Sequence, residues 1–127
     1  MSKTWVWVGW VMSGLFVLFM IGASLVPKFF IQQIAAENLT GLGWPPGYVL
    51  MIGTIELIGV VLYAIPRTSL LGAIWMTGLL GGAMATQIRA ESPLLSHILF
   101  SVYLGIFMWG GLWLRDAAVR NLLPFKR

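Results

Sequence analysis

The sequence predicts an all-α integral membrane protein: four transmembrane helices in an antiparallel bundle, with both termini cytoplasmic. Three observations predict it. Of the 127 residues, 59% are hydrophobic and only 9% are charged, against roughly 25% charge in soluble domains. The apolar residues gather into four runs, each close to the roughly 20 residues that cross a bilayer core as a helix. The basic residues are shared unevenly between the two sides that four spans define.

The runs are Thr4–Val26, Gly47–Ile65, Thr68–Ile88 and Leu94–Leu114, read as one domain over 1–127. The first exceeds the roughly 7–15-residue apolar core of a signal peptide, so it is expected to be retained as a helix. After it, "PKFFIQQIAAENLTGLGWPPG" forms an outer loop over 27–46. There Phe29, Phe30, Ile34 and Leu39 alternate with Gln32, Gln33, Glu37 and Asn38, a pattern for a short helix on the membrane surface or a lid over the bundle. "GLGWPPG" reads as a turn, because paired prolines favour extended backbone. The "PRT" turn at Pro66–Thr68 makes the second and third spans a hairpin, and "RAESP" joins the third to the fourth.

Four spans put Lys3, Arg67, Arg115, Arg120, Lys126 and Arg127 on the side of the termini, with Lys28 and Arg89 on the other. The positive-inside rule makes the first side cytoplasmic, in a plasma-type membrane such as a bacterial inner membrane. The net charge of +4 is then a topology signal directed at the lipid bilayer and its anionic headgroups, and nucleic acid is not an expected partner. Trp5, Trp7, Trp10, Trp109 and Trp113 fall near that boundary as an aromatic belt. The absence of cysteine rules out disulfides, thiolate metal sites and dithiol redox chemistry. With one histidine in addition, no metal site is expected, and no ligand set for haem, flavin or an iron–sulfur centre is recognisable.

The residue that asks for an explanation is Glu56, in the middle of "GYVLMIGTIELIGVVLYAIP". A carboxyl group at a helix centre costs on the order of 2.5–3.5 kcal/mol on insertion scales. The aliphatic residues of the span, at roughly −0.5 kcal/mol each, offset that. At helical periodicity Gly53, Glu56, Gly59, Val60 and Tyr63 share a face, so Glu56 is expected to face the bundle interior, with the glycines as helix-packing positions. Desolvation disfavours the charged form unless a cation lies near. If the hairpin is level at its turn, Thr77 and Gly78 lie opposite Glu56, and Gly78, Gly82 and Ala85 form a second packing face. Ser13 and Tyr103 fall near the same depth. Lys28, Arg89 and His97 are the conceivable partners from the outer half, and with Gln87 and Ser96 they can form a polar vestibule. Lys28 and Arg89 also suit the role of snorkelling interfacial residues. An intramembrane ionisable group is a functional hypothesis by default, which makes Glu56 the candidate catalytic residue and Lys28, Thr77, Gln87, Arg89, His97 and Tyr103 the candidate ligand-binding ones.

"GASLVPK", "GTIELIGVVLYAIPRTSLLGA", "GGAMATQIR" and "HILFSVYLGIFMWGGLWLRD", in this order and spacing, resemble the DoxX-like family of small membrane proteins over nearly the whole chain. The pattern falls on Lys28, Glu56 to Gly59, Ile65 to Arg67, Leu71 to Ala73 and Gly81 to Thr86. Relatives commonly carry a histidine where this chain has Gln87, and Gln cannot take a proton near neutral pH. The resemblance implies a four-helix bundle with cytoplasmic termini, similar to small subunits of quinone-linked oxidoreductases. The leading expectation is therefore a quinone- or lipid-binding subunit of a membrane redox system, in which Glu56 hydrogen-bonds or protonates a carbonyl and Tyr103 or Thr77 assists. It implies a quinone or other hydrophobic small molecule as ligand and a redox partner protein as the source of electrons. Three alternatives stand beside it: a proton-coupled small-molecule carrier, a membrane isomerase or cyclase with Glu56 as general acid, and a structural subunit. The glycine faces can pack within one chain or between copies in a homo-oligomer.

Overall fold

The computed structural model describes residues 2–126; Arg127, counted above with the terminal basic residues, lies outside them. Among the described residues every regular element is helical. In chain order they are α1 (Lys3–Phe30), α2 (Gln32–Gly41), α3 (Val49–Ala64), α4 (Ser69–Arg89), α5 (Leu94–Arg115) and α6 (Ala117–Leu122). Runs of Leu, Ile, Val and Met adopt this form because a helix satisfies its own backbone polar groups where no water can. The helices α1, α5 and α4 with its preceding turn are long and apolar enough to cross a membrane. At 16 residues α3 reaches about 24 Å at 1.5 Å per residue, short of the roughly 30 Å of a hydrocarbon core. Proline sets both of its ends: Pro45, Pro46 and Gly47 (φ 98°) precede it, and Ile65 turns extended before Pro66.

The first helix departs from the expected boundary. It continues past Val26 to Phe30, so Lys28 sits on a helix and not in the outer loop. A proline at position 27 would normally clash with the preceding turn. Here the helix widens to a π-helical turn over Met20–Leu25 immediately before it, one of the recognised ways a helix absorbs such a conflict. The connection between α1 and α3 forms α2, whose Ala35 is buried while Ile34 is exposed.

Phe16, Met20, Val60, Tyr63, Ala73, Met76, Met108 and Leu112 form the core between α1, α3, α4 and α5, with the Phe16 and Tyr63 rings edge-on at 5.3 Å. Outward-facing residues in mid-helix are also apolar: Leu18, Leu57, Val61, Ile74 and Ile106 are all exposed. So much uncovered apolar surface suits lipid and not water.

One end of the bundle is closed by a chain of polar contacts. Arg115 donates from Nε to Ser13 Oγ at 3.0 Å and from Nη2 to Ser69 Oγ at 3.2 Å, with its guanidinium 4.3 Å from the centre of the Trp10 ring. Ser13 and the Tyr63 hydroxyl share a hydrogen bond of 2.8 Å, and Tyr63 donates to the Met108 carbonyl at 2.6 Å. Each donor in this chain ends on an acceptor, and α1, α3, α4 and α5 all contribute.

Close approach depends on glycines. A Cβ on Gly111 would lie 2.8 Å from the Ser13 nitrogen, and one on Gly9 would lie 2.7 Å from the Gly111 carbonyl oxygen. A Cβ on Gly72 would meet the Tyr63 backbone, which cannot yield as a side chain can. Gly111→Val is therefore expected to force α1 and α5 apart and lower stability by about 1–3 kcal/mol, the usual range for overpacking. Thermal unfolding in detergent checks this; an unchanged midpoint would contradict the contact.

Candidate functional site

Glu56 is 2% exposed on the inner face of α3. One turn earlier, Gly53 has room for little more than a hydrogen: a Cβ there would lie 3.2–3.3 Å from Phe29 and Lys28 side-chain atoms. This contact brings the last turns of α1 against α3 and sets Lys28 beside Glu56. Lys28 Nζ reaches Glu56 Oε1 at 3.1 Å and Ser24 Oγ at 2.7 Å. Ser24 Oγ in turn donates to Glu56 Oε1 at 2.8 Å. Ser24 and Lys28 are four residues apart, the spacing that stacks side chains on one helix face. The cation expected only conditionally is thus in place, 3.1 Å from the carboxyl group. Glu56 Oε2 is buried and has no hydrogen-bond partner.

The triad lies on the wall of a cavity of about 510 Å³, within the range of small-molecule sites. Phe19, Leu79, Leu80, Phe100 and Leu104 give it apolar walls, and Leu39, Leu42 and Trp44 from the connection between α1 and α3 border it. Polar groups are few: Ser24, Lys28 and Glu56, then Thr86, Gln87, His97 and Ser101. Both π-helical turns among the described residues contribute, Ser24 from Met20–Leu25 and His97 from Leu94–Ile98. Such wide turns recur at functional sites.

Of the residues singled out from sequence, Lys28, Glu56, Gln87 and His97 meet around this cavity. His97 Nδ1 shares a 2.8 Å hydrogen bond with Ser96 Oγ, and Gln87 Oε1 is buried without a partner. The other three lie elsewhere. Thr77 turns to its own helix, donating to the Ala73 carbonyl at 2.7 Å and accepting from Trp109 Nε1 at 2.8 Å. Tyr103 is 41% exposed and donates to the Leu95 carbonyl. Arg89 borders a separate recess of about 140 Å³ with Gly43, Pro45 and Thr86.

The glycines divide in the same way. Gly53 receives α1, and Gly59 receives Trp75 and Met76 of α4, within two residues of the hairpin register expected. Gly78 and Gly82 have nothing within 4 Å of a built Cβ and border the cavity. They leave space open where a packed helix was expected. Ser24, Thr86 and Ser101 were not singled out from sequence. Ser24 had a signal, its four-residue spacing to Lys28, but Pro27 between them argued against a continuous helix.

A family model described as the DoxX-like family matches residues 11–111, a stretch that holds every polar residue of the cavity. No curated protein and no solved structure matches the chain.

Lys28→Met strands a buried carboxylate and is expected to cost about 3–5 kcal/mol, whereas Lys28→Met with Glu56→Leu recovers most of that loss. Unfolding of the two variants in mixed micelles checks this, and equal destabilisation by both would contradict the pairing.

Proposed function

From the membership of this chain in the DoxX-like family of membrane proteins, we propose that it binds a quinone or a similar ring-bearing or lipid-like molecule as a subunit of a membrane redox system. The observation that carries this reading is that Glu56, one of the residues lining a mostly apolar cavity of about 510 Å³, keeps a buried carboxylate oxygen without a partner. A structural carboxylate would be expected to use both oxygens, since a buried acceptor left without a partner costs free energy. A ligand that fills the cavity and donates a hydrogen bond to Oε2, as the reduced form of a quinone can, removes that cost. The electrons would come from a partner protein.

In the same proposal the chain crosses a bacterial inner membrane four times with both termini cytoplasmic. The shortness of α3 is met by local thinning of the bilayer, a modest cost per ångström of mismatch, and by its burial against α1 and α4. Lys3, Arg67, Arg115, Arg120 and Lys126 would face the cytoplasm, while Lys28 and Arg89 belong to the opposite half. Because the chain has no cysteine, single cysteines at Ser2 and Gln33 can be labelled from one side only. A membrane-impermeant maleimide applied outside intact cells is expected to label Gln33→Cys and not Ser2→Cys; the reverse pattern would overturn the orientation.

Gly82→Leu places a side chain into open space bordering the cavity without touching the ion pair. Small molecules that co-purify with the wild-type protein in nanodiscs are expected to fall at least tenfold in Gly82→Leu, at unchanged thermal stability. Quantitative mass spectrometry reads this, and an equal yield of the same molecules from both proteins would move the ligand out of this cavity.

A further inference from the structure

Reading the cavity as a ligand site leaves open which polar group of the ligand the Glu56 end accepts, and the hydrogen-bond inventory there decides it. Lys28 has three N–H bonds. They meet Glu56 Oε1 at 3.1 Å, Ser24 Oγ at 2.7 Å and the Ser24 carbonyl at 3.3 Å. The single hydroxyl hydrogen of Ser24 goes to Glu56 Oε1 at 2.8 Å. Every donor of the triad is therefore committed within it. What it still offers is an acceptor, Glu56 Oε2, which is buried and without a partner.

Charge narrows the class further. The carboxylate is already matched by the Lys28 ammonium at 3.1 Å. A second cation at Oε2 would face that ammonium in a low-dielectric interior, where like charges repel steeply. A ligand carbonyl or ether oxygen fares no better, because it would set lone pairs against lone pairs with no hydrogen between them. The group that fits is neutral and donates. The walls around it, with Phe19, Leu80, Phe100 and Leu104, ask for an apolar body.

We infer that this site retains an apolar molecule through a neutral hydroxyl that the ligand donates to Glu56 Oε2, and that it discriminates against the same body carrying a carbonyl or ether oxygen there. This rests on the cavity being a ligand site and inverts the polarity expected from the sequence, where Glu56 was to serve a carbonyl. For a ring with two oxidation states, the hydroxyl-bearing state is held and the carbonyl state is released. The hydroxyl can come from an aromatic ring or from an aliphatic alcohol such as a lipid.

The test uses the full chain in nanodiscs and four probes: decylhydroquinone under anaerobic conditions, the corresponding quinone, its dimethyl ether and 1-decanol. Bound probe is measured by mass spectrometry after equilibrium dialysis. The hydroquinone is expected to bind at least tenfold more tightly than the quinone and the dimethyl ether. Quinone binding that equals or exceeds it would overturn donor recognition and leave the ligand site standing. No binding of any probe would overturn the ligand site and the inference together. Decanol that displaces the hydroquinone at similar concentration supports the inference with an aliphatic source, and failure to displace it supports the inference with a ring. Glu56→Gln supplies an N–H₂ donor beside the retained oxygen, so the gap between hydroquinone and quinone is expected to narrow below threefold. The wild-type ratio tests the inference even if that variant does not fold.

Discussion

A carboxylate can be held in the apolar middle of α3 only if a cation reaches it without carrying water along, and the part of this fold where the end of α1 meets α3 is arranged around that requirement. Lys28 meets it from α1 at 3.1 Å. It can do so because α1 runs on to Phe30 through Pro27, with a widened turn ahead of the proline, and because Gly53 lets that segment lie against α3. Were α1 to end at Val26, Lys28 would start from a loop and the ion pair would have no fixed geometry. Removing one member of such a pair is costly, whereas the pair itself adds little to stability over an apolar replacement. Folding stability alone therefore does not account for the pair.

The two polar clusters of the molecule make that distinction visible. Around Arg115 the donors run through Ser13 and Tyr63 to the Met108 carbonyl, and the helices close tightly over them at Gly9 and Gly111. That cluster is complete and ties four helices together at one end. Around Glu56 the donors converge on one carboxylate oxygen and leave the other without a partner, and beside it the helices do not close. One cluster is a fastening, and the other leaves an acceptor without a partner in a residue that lines a cavity.

Glycine plays opposite parts in the two regions. At Gly72 the hairpin partners touch backbone to backbone, while Gly78 and Gly82 on the same helix face open space. The difference lies in the neighbours. Near Gly72 the tight turn at Pro66–Thr68 keeps α3 and α4 together. Farther up, Phe19 just before the widened turn of α1 and Phe100 near the start of α5 pack with their rings 5.3 Å apart and line the cavity together with Gly78 and Gly82. A cavity forms where small residues on one helix meet large ones that cannot follow them inward.

Composition and apolar run length alone determine an all-helical membrane protein with its hairpin and its buried Glu56. These follow from the cost of leaving backbone or charge unsatisfied in lipid, which any one span reports by itself. The face shared by Gly53, Glu56, Gly59, Val60 and Tyr63 was legible for the same reason, since helical period depends on one strand of chain; all five are indeed buried. Partnership is another matter. Thr77 and Tyr103 sit near the right depth but turn elsewhere, and Lys28, assigned to a loop, proved to be the direct partner. Depth along a helix can be counted from sequence, but rotation about its axis and continuation through a proline are set by contacts with the other helices. Only the packed bundle could therefore bring Ser24, Lys28 and Glu56 together at a cavity and leave one carboxylate oxygen without a partner.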